Sequence, residues 1–246
     1  MVAIGAGMPI KAIFFDAAGT VIKPARQVGE TYVLLARKYG IEVSAVEIAA
    51  RFRLCFQSAP PLAFSDAATA RIEDLERAWW KELVQRIFEP WDRFQKFDDY
   101  FAELFAYFAQ PEAWLLYPEV TETLSALKSR GVVLDVISNF DSRLIGILKG
   151  LGTDHWFEHI FVSSRVGYAK PAPQIFHAAL EQHGLKAEEA LHVGDNEEKD
   201  LQGANGAGLK GVLIARNGES NSNVFPQITS LRNILSLLDG PDQRSK

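Results

Sequence analysis

Short, mostly apolar runs alternate with stretches of helical period over the second half of the chain. Val132–Ile137, Ile160–Ser163, Ala190–Val193 and Gly211–Ala215 have strand length, and the helical period occupies Glu119–Ser129, Ser142–Gly150, Pro173–His183 and Lys199–Gly208. This alternation predicts βαβ units around a parallel sheet buried on both faces. Glycines 131, 152, 184 and 208 stand where these helices should stop. Near the start, Ile10–Phe15 adds a fifth apolar run that breaks into a turn at Gly19.

Residues 23–111 follow another pattern. They are poor in strand-like runs and punctuated by Pro60-Pro61, Pro90 and Pro111, which predicts several helices in succession. In Ala70–Phe88 the apolar positions Ile72, Leu75, Trp79, Leu83 and Ile87 recur every three or four residues, and Lys96–Phe108 repeats the theme with phenylalanines. Trp79, Trp80 and Trp91 are read as core aromatics. The chain thus divides into an α/β unit from 1–22 and 112–246, interrupted by an all-helical module at 23–111.

With 246 residues, 48% of them hydrophobic, the chain can bury a sizeable core. Its net charge of −5 is spread over interspersed residues of both signs, so neither a nucleic-acid backbone nor a membrane surface is an expected partner. No apolar stretch reaches the ~20 residues of a membrane span. Met1–Pro9 lacks the basic flank and apolar segment of a signal peptide, and the tail after Gly240 reads as disordered. Cys55 is the only cysteine, which excludes an internal disulfide and a thiolate cluster and places the protein in a reducing, cytoplasmic compartment. Oligomeric state is not legible here.

The candidate chemistry sits at the ends of the predicted strands, where open α/β sheets bind ligands. Asp16 follows Phe14-Phe15, Ser138-Asn139 follows Val136-Ile137, Lys170 precedes Pro171, and Asp195 and Asp200 flank the turn after His192-Val193. Taken singly, each has an ordinary use as a turn, a helix cap or a surface charge. Together they supply a nucleophilic carboxylate, donors for a phosphoryl group, an ammonium and further acids able to hold a cation. A carboxylate approaches a phosphate dianion only if nearby cations offset the repulsion.

The order Asp-x-Ala-Gly-Thr, Ser-Asn, Lys-Pro and Gly-Asp with a second Asp resembles the haloacid dehalogenase superfamily over residues 10–22 and 118–216. Within it, Trp79-Trp80, Ile137-Ser138-Asn139-Phe140-Asp141 and His192-Val193-Gly194-Asp195-Asn196 are most similar to the branch called haloacid dehalogenase-like hydrolase domain-containing protein three. The resemblance implies a Rossmann-like three-layer core with strand order 5-4-1-2-3, the helical module being the cap. It implies a phosphatase of a small phosphorylated metabolite, in which Asp16 becomes an aspartyl-phosphate and Lys170 orients it. Mg²⁺ would be held by Asp16, the Ala18 carbonyl, Asp195 and Asp200, and the phosphoryl group by Thr20, Ser138, Asn139 and Lys170. Arg51 and Arg53 are the cap residues expected to reach the rest of the substrate.

Ala18 departs from the family, whose phosphatases carry there a second Asp that protonates the leaving group. Three other readings share the loop: a phosphonoacetaldehyde hydrolase, a carbon-attacking dehalogenase and a catalytically silent binding protein. The first needs a cap lysine, and none lies between Lys38 and Lys81; the second usually lacks the acid that Asp195 retains. His155 and His159, four apart, are read as surface or capping residues and not as zinc ligands, His192 as a core histidine, and Cys55 as a small buried hydrophobe.

Overall fold

The computed structural model describes residues 9–91, 94–216, 218 and 226–239; the tails read from residues 1–8 and 240–246 lie outside them. The chain opens with β1 (Ala12–Phe15) and β2 (Ile22–Pro24), then runs through α1 (Val28–Arg37), α2 (Ala45–Gln57), α3 (Ile72–Phe88) and α4 (Phe97–Tyr107) to β3 (Trp114–Leu116). The remainder alternates: α5 (Val120–Ser129), β4 (Val133–Ser138), α6 (Arg143–Gly150), β5 (Ile160–Val162), α7 (Ser163–Val166), α8 (Pro173–His183) and β6 (Ala190–Gly194). A π-helical turn at Glu197–Gln202 leads into α9 (Gly203–Gly206), β7 (Lys210–Ile214), β8 (Gln227–Ile228) and α10 (Asn233–Asp239).

Six strands form a parallel sheet in the order β5-β4-β1-β6-β7-β8. Read from its other edge, this is the expected 5-4-1-2-3 arrangement with β8 added outside. β8 has two residues, too few to carry a readable period. The strand faces alternate as a doubly covered sheet requires. Ile13, Phe15, Leu134, Val136, Leu191 and Val193 meet α5, α6 and α10 on one side, while Ala12, Phe14, Ile137 and Ala190 meet α8 and α9 on the other. Local signals agree with the helices they bound: α8 begins on Pro173 and ends at left-handed Gly184, and α3 carries Glu73 and Asp74 in its first turn and Arg86 in its last.

Between β2 and β3 the four helices α1–α4 build a second core dominated by aromatic rings, with Phe88 meeting Tyr100 edge-on at 5.2 Å. The chain enters and leaves this insertion through β2 and β3, which pair antiparallel from Ile22↔Leu116 to Pro24↔Trp114. These two three-residue strands escape a periodicity search.

A buried polar contact fastens the insertion to the core. Glu76 of α3 is 2% exposed and accepts from the Ser142 amide at 3.0 Å, the Ser142 hydroxyl at 2.8 Å and the Ser164 hydroxyl at 2.6 Å. One turn further along, Trp80 Nε1 donates to Asp141 at 2.6 Å. Truncating Glu76 orphans three donors, so Glu76→Ala is expected to lose about 2 kcal/mol, or roughly 4–8 °C of Tm. Thermal unfolding measures this, with Glu76→Gln recovering part of it; an alanine variant as stable as the parent would show that water replaces the carboxylate.

Candidate active site

The register of the central strands determines which side chains meet. Phe15 lies opposite Val136 on one side and Val193 on the other, so the chain positions just beyond all three strands emerge at the same edge. Asp16 follows there, its amide bonded to the Val193 carbonyl at 2.8 Å, with Ser138 and Asp195 beside it. Asp16, Ala18, Ser138, Asn139, Lys170, Asp195 and Asp200 line one cavity between this edge and the insertion.

Lys170 is the hub. It is 3% exposed, and its ammonium donates to Asp16 Oδ1 at 2.7 Å, to Asp200 Oδ1 at 2.5 Å and to the Ile137 carbonyl at 2.8 Å. Ser138 Oγ also donates to Asp16 Oδ1, at 3.3 Å, so Oδ2 is the Asp16 oxygen that neither group engages. Asp200 accepts further from the Asn196 amide at 2.9 Å and pairs with His192 Nε2 at 3.0 Å. Two glycines make room for the acids. A Cβ on Gly19, whose φ is +99°, would stand 2.2 Å from Asp195 Oδ2, and one on Gly194 would stand 2.1 Å from Asp200 Cγ.

Ligand atoms of Asp16, Asp195 and Asp200 lie within 4.8 Å of one another. Three carboxylates thus cluster beside one buried ammonium that contacts two of them, and their protonation reflects the shortfall of positive charge. Burial and the neighbouring acids push Asp16 up to about 7 against the pull of Lys170. Asp195, exposed at the cavity mouth, is pushed up to about 6 by loss of solvation and by Asp200. Asp200 is also desolvated, but Lys170 and His192 hold it well below the usual carboxylate range. Burial depresses His192, so a neutral imidazole faces the ionised Asp200 and donates from Nε2. Lys170 stays charged because Asp16 and Asp200 outweigh its desolvation.

Three of the expected site residues need revision, and a fourth has an added task. The Asn139 side chain is occupied at both ends: Nδ2 donates to the Lys170 carbonyl at 2.8 Å and Oδ1 accepts from the Lys170 amide at 2.7 Å. It clamps the Lys170 loop, so only the Asn139 backbone amide could donate to a phosphoryl group. Thr20 is fully buried beneath its loop, with Oγ1 unpartnered among the described residues, and does not line the cavity. Arg51 and Arg53 do not line it either. Arg51 donates to the Ile87 carbonyl at 2.7 Å and the Arg86 carbonyl at 2.5 Å, and Arg53 is exposed. On α2 the face turned to the site carries Phe52 and Phe56, four residues apart, which leaves their immediate neighbours pointing elsewhere.

Trp80, read as core, lines the cavity together with Trp114 and Phe140. Arg216, which no motif marks, braces the first loop by donating to the Gly19 carbonyl at 3.1 Å and to the Thr20 carbonyl, while Glu119 holds its guanidinium at 2.7 Å. His159 faces Asp135 and His183 instead of pairing with His155. Buried Asp135 is already satisfied there by His183 Nε2 at 2.5 Å and the His159 amide at 2.8 Å. Cys55 is free and buried. Among the described residues no helix is long and apolar enough to cross a membrane.

Comparison with known proteins agrees with this arrangement. The haloacid dehalogenase-like hydrolase family model matches residues 10–208. Haloacid dehalogenase-like hydrolase domain-containing protein 3 of Danio rerio is 31% identical over 211 residues, covering 85% of this chain and 86% of that protein. A phosphoserine phosphatase of Thermus thermophilus is 32% identical over 198 residues, covering 74% and 79%. The crystal structure of a HAD phosphatase from Thermococcus onnurineus aligns with a TM-score of 0.67 at 26% identity, covering 94% of this chain and 99% of that one. The chain therefore belongs to the haloacid dehalogenase-like hydrolases, within the branch of domain-containing protein 3.

Proposed function

We propose that this hydrolase is a Mg²⁺-dependent phosphatase of small phosphorylated metabolites that works through an aspartyl-phosphate on Asp16. The observation that carries the reading is the clustering of Asp16, Asp195 and Asp200, with buried Lys170 bonded to Asp16 and Asp200. Three acids with one ammonium suit a divalent cation, and the absence of a Cβ at Gly19 and Gly194 leaves their carboxylates room. Asp16, Asp195 and Asp200 would hold the ion, together with the Ala18 carbonyl. Bound there, Mg²⁺ supplies positive charge that offsets repulsion between carboxylate and phosphate.

Lys170 and Ser138 fix Oδ1 of Asp16, so Oδ2 attacks phosphorus and the bond from phosphorus to the ester oxygen breaks. Water then attacks phosphorus, the bond from phosphorus to Asp16 Oδ2 breaks, and phosphate leaves with Asp16 regenerated. The helical insertion at 23–111 is read as the cap that shuts this cavity from bulk water, with Glu76 and Trp80 holding it to the loop after Ser138-Asn139. A reaction at carbon would not call for Asp195 beside the nucleophile.

Ala18 is exposed to the cavity and brings no proton to the departing oxygen. General acid assistance is worth ~10²–10⁴-fold, so alkyl esters should turn over slowly and aryl or acyl phosphates faster. Phosphate release from one ester of each kind, before and after Ala18→Asp, tests the reading; the substitution is expected to raise kcat for the alkyl ester about 10²-fold. No release from any ester with Mg²⁺ present would leave a silent binding protein.

The metal has its own signature in pH. Without it, Asp16 keeps its proton up to about 7 and Asp195 up to about 6. Cation and protons compete for these carboxylates, so apparent Mg²⁺ affinity is expected to climb between pH 5 and pH 7, by up to about tenfold per unit for each proton released, and to level off above pH 8. Calorimetric titration at several pH values measures this; an affinity flat across the range would remove Asp16 and Asp195 from the ligand set.

A further inference from the structure

The cavity around Asp16 has two chemically distinct walls. Its strand-end side is charged, but the opposite side consists of Val28, Phe52, Phe56 and Trp80 from the insertion with Trp114 and Phe140 from the core. Among the described residues no charged side chain of the insertion lines it; the charge beside the rings is Lys199 of the core, whose ammonium lies 5.5 Å from the Phe56 centroid. The guanidinium nearest this wall, Arg143, is neutralised by Asp141 through contacts of 2.9 Å and 2.6 Å and lies flat over Phe105 at 3.9 Å. The aromatic lining then continues past Phe52 and Trp80 into a deeper apolar recess.

Resting on the phosphatase reading, we propose that the natural leaving group is aromatic: the substrate is the phosphate ester of a phenol-like or other ring-bearing alcohol, not of a sugar, a polyol or an amino acid. A sugar or polyol would set most of its hydroxyls against rings that offer no partner, whereas a flat apolar ring stacks on Phe56 and Trp80 and sheds its own water. Phe56 and Trp80 already stack on each other, 6.1 Å apart and inclined by 29°. Ala18 points the same way for an independent reason. A phenol ionises near pH ~10, so its oxygen departs without the proton that an alkoxide requires.

The test must separate the wall from the leaving group. Benzyl phosphate carries a ring but departs as an alkoxide, as glycerol phosphate does, while acetyl phosphate has no ring and departs easily. With the full-length protein and Mg²⁺, kcat/KM for benzyl phosphate is expected to exceed that for glycerol phosphate about 30-fold, and phenyl phosphate to exceed both. In Phe56→Ala and in Phe52→Ala, both half-buried positions, the ratio of KM for benzyl phosphate to KM for acetyl phosphate is expected to rise about tenfold. Equal kcat/KM for benzyl and glycerol phosphate, or an unmoved KM ratio in both variants, overturns the aromatic assignment and leaves the phosphatase standing. Failure to hydrolyse even acetyl phosphate overturns the phosphatase reading and the aromatic assignment with it.

Discussion

Replacing Lys170 by methionine is expected to destabilise the protein by about 3–5 kcal/mol at pH 8, because it leaves the Asp16 and Asp200 carboxylates buried with no cation between them. For a chain of this size that is a fall in Tm of roughly 6–20 °C. Methionine keeps the volume of the stem, so the loss isolates the charge. The sign of the pH dependence follows from Asp200, whose folded pKa lies below its unfolded value. Such a group contributes stability at pH values above its unfolded pKa and loses it as pH falls through the lower folded one. Without Lys170 this contribution disappears, so the deficit it accounts for is full at pH 5–8 and narrows only below the unfolded value of 3.8, toward pH 3. Denaturant titrations at pH 8 and pH 3 decide it; a deficit of equal size at both would mean that Lys170 matters for packing alone. Turnover should also fall about 10²–10³-fold, since Asp16 loses the group that orients it.

Asp16→Asn is expected to show the opposite pairing, a dead enzyme on a firmer fold. Under the proposed chemistry the amide cannot form the covalent intermediate, and kcat should drop at least about 10⁴-fold. The carboxyl of Asp16 titrates at about 7 in the folded protein against 3.8 for the free group. A raised acid pKa means that stability is lost as pH climbs from the unfolded value through the folded one, by up to about 4 kcal/mol in total. Asparagine never ionises, so the metal-free variant should exceed the parent in Tm at pH 8 and match it near pH 4. Scanning calorimetry with a chelator present reads the stability, and the assay on an acyl phosphate reads the chemistry. Phosphate release at the parent's rate would exclude Asp16 as the nucleophile.

The strand-end residues were readable from the chain because a buried parallel strand must be apolar, so the first polar residue beyond it stands out. That is how Asp16, Ser138 and Asp195 declare themselves, and the strand order follows once five runs are counted. The short pieces were not readable. β2, β3 and β8 have two or three residues each, and their pairing is decided by partners up to 94 positions away. Nothing in the sequence around Glu76 on α3 announces that Ser142 and Ser164 will converge on it. Arg51 and Arg53 were chosen for their charge, yet a helix turned by one residue exchanges the face it shows, and Phe52 and Phe56 took the site. The second task of Asn139 was not readable, because the demand for a side-chain clamp comes from Lys170, 31 residues on.

By itself, then, the amino-acid order determined the α/β class, the helical insertion and the inventory of nucleophile, ammonium and acids, since each depends on local period or on a polar residue at a strand end. Tertiary structure decided what faces what. It gathered three acids in one cluster and bound two of them to Lys170, gave the cavity an aromatic wall and withdrew the arginines, because burial, ion pairing and helix rotation depend on distances between residues far apart in the chain.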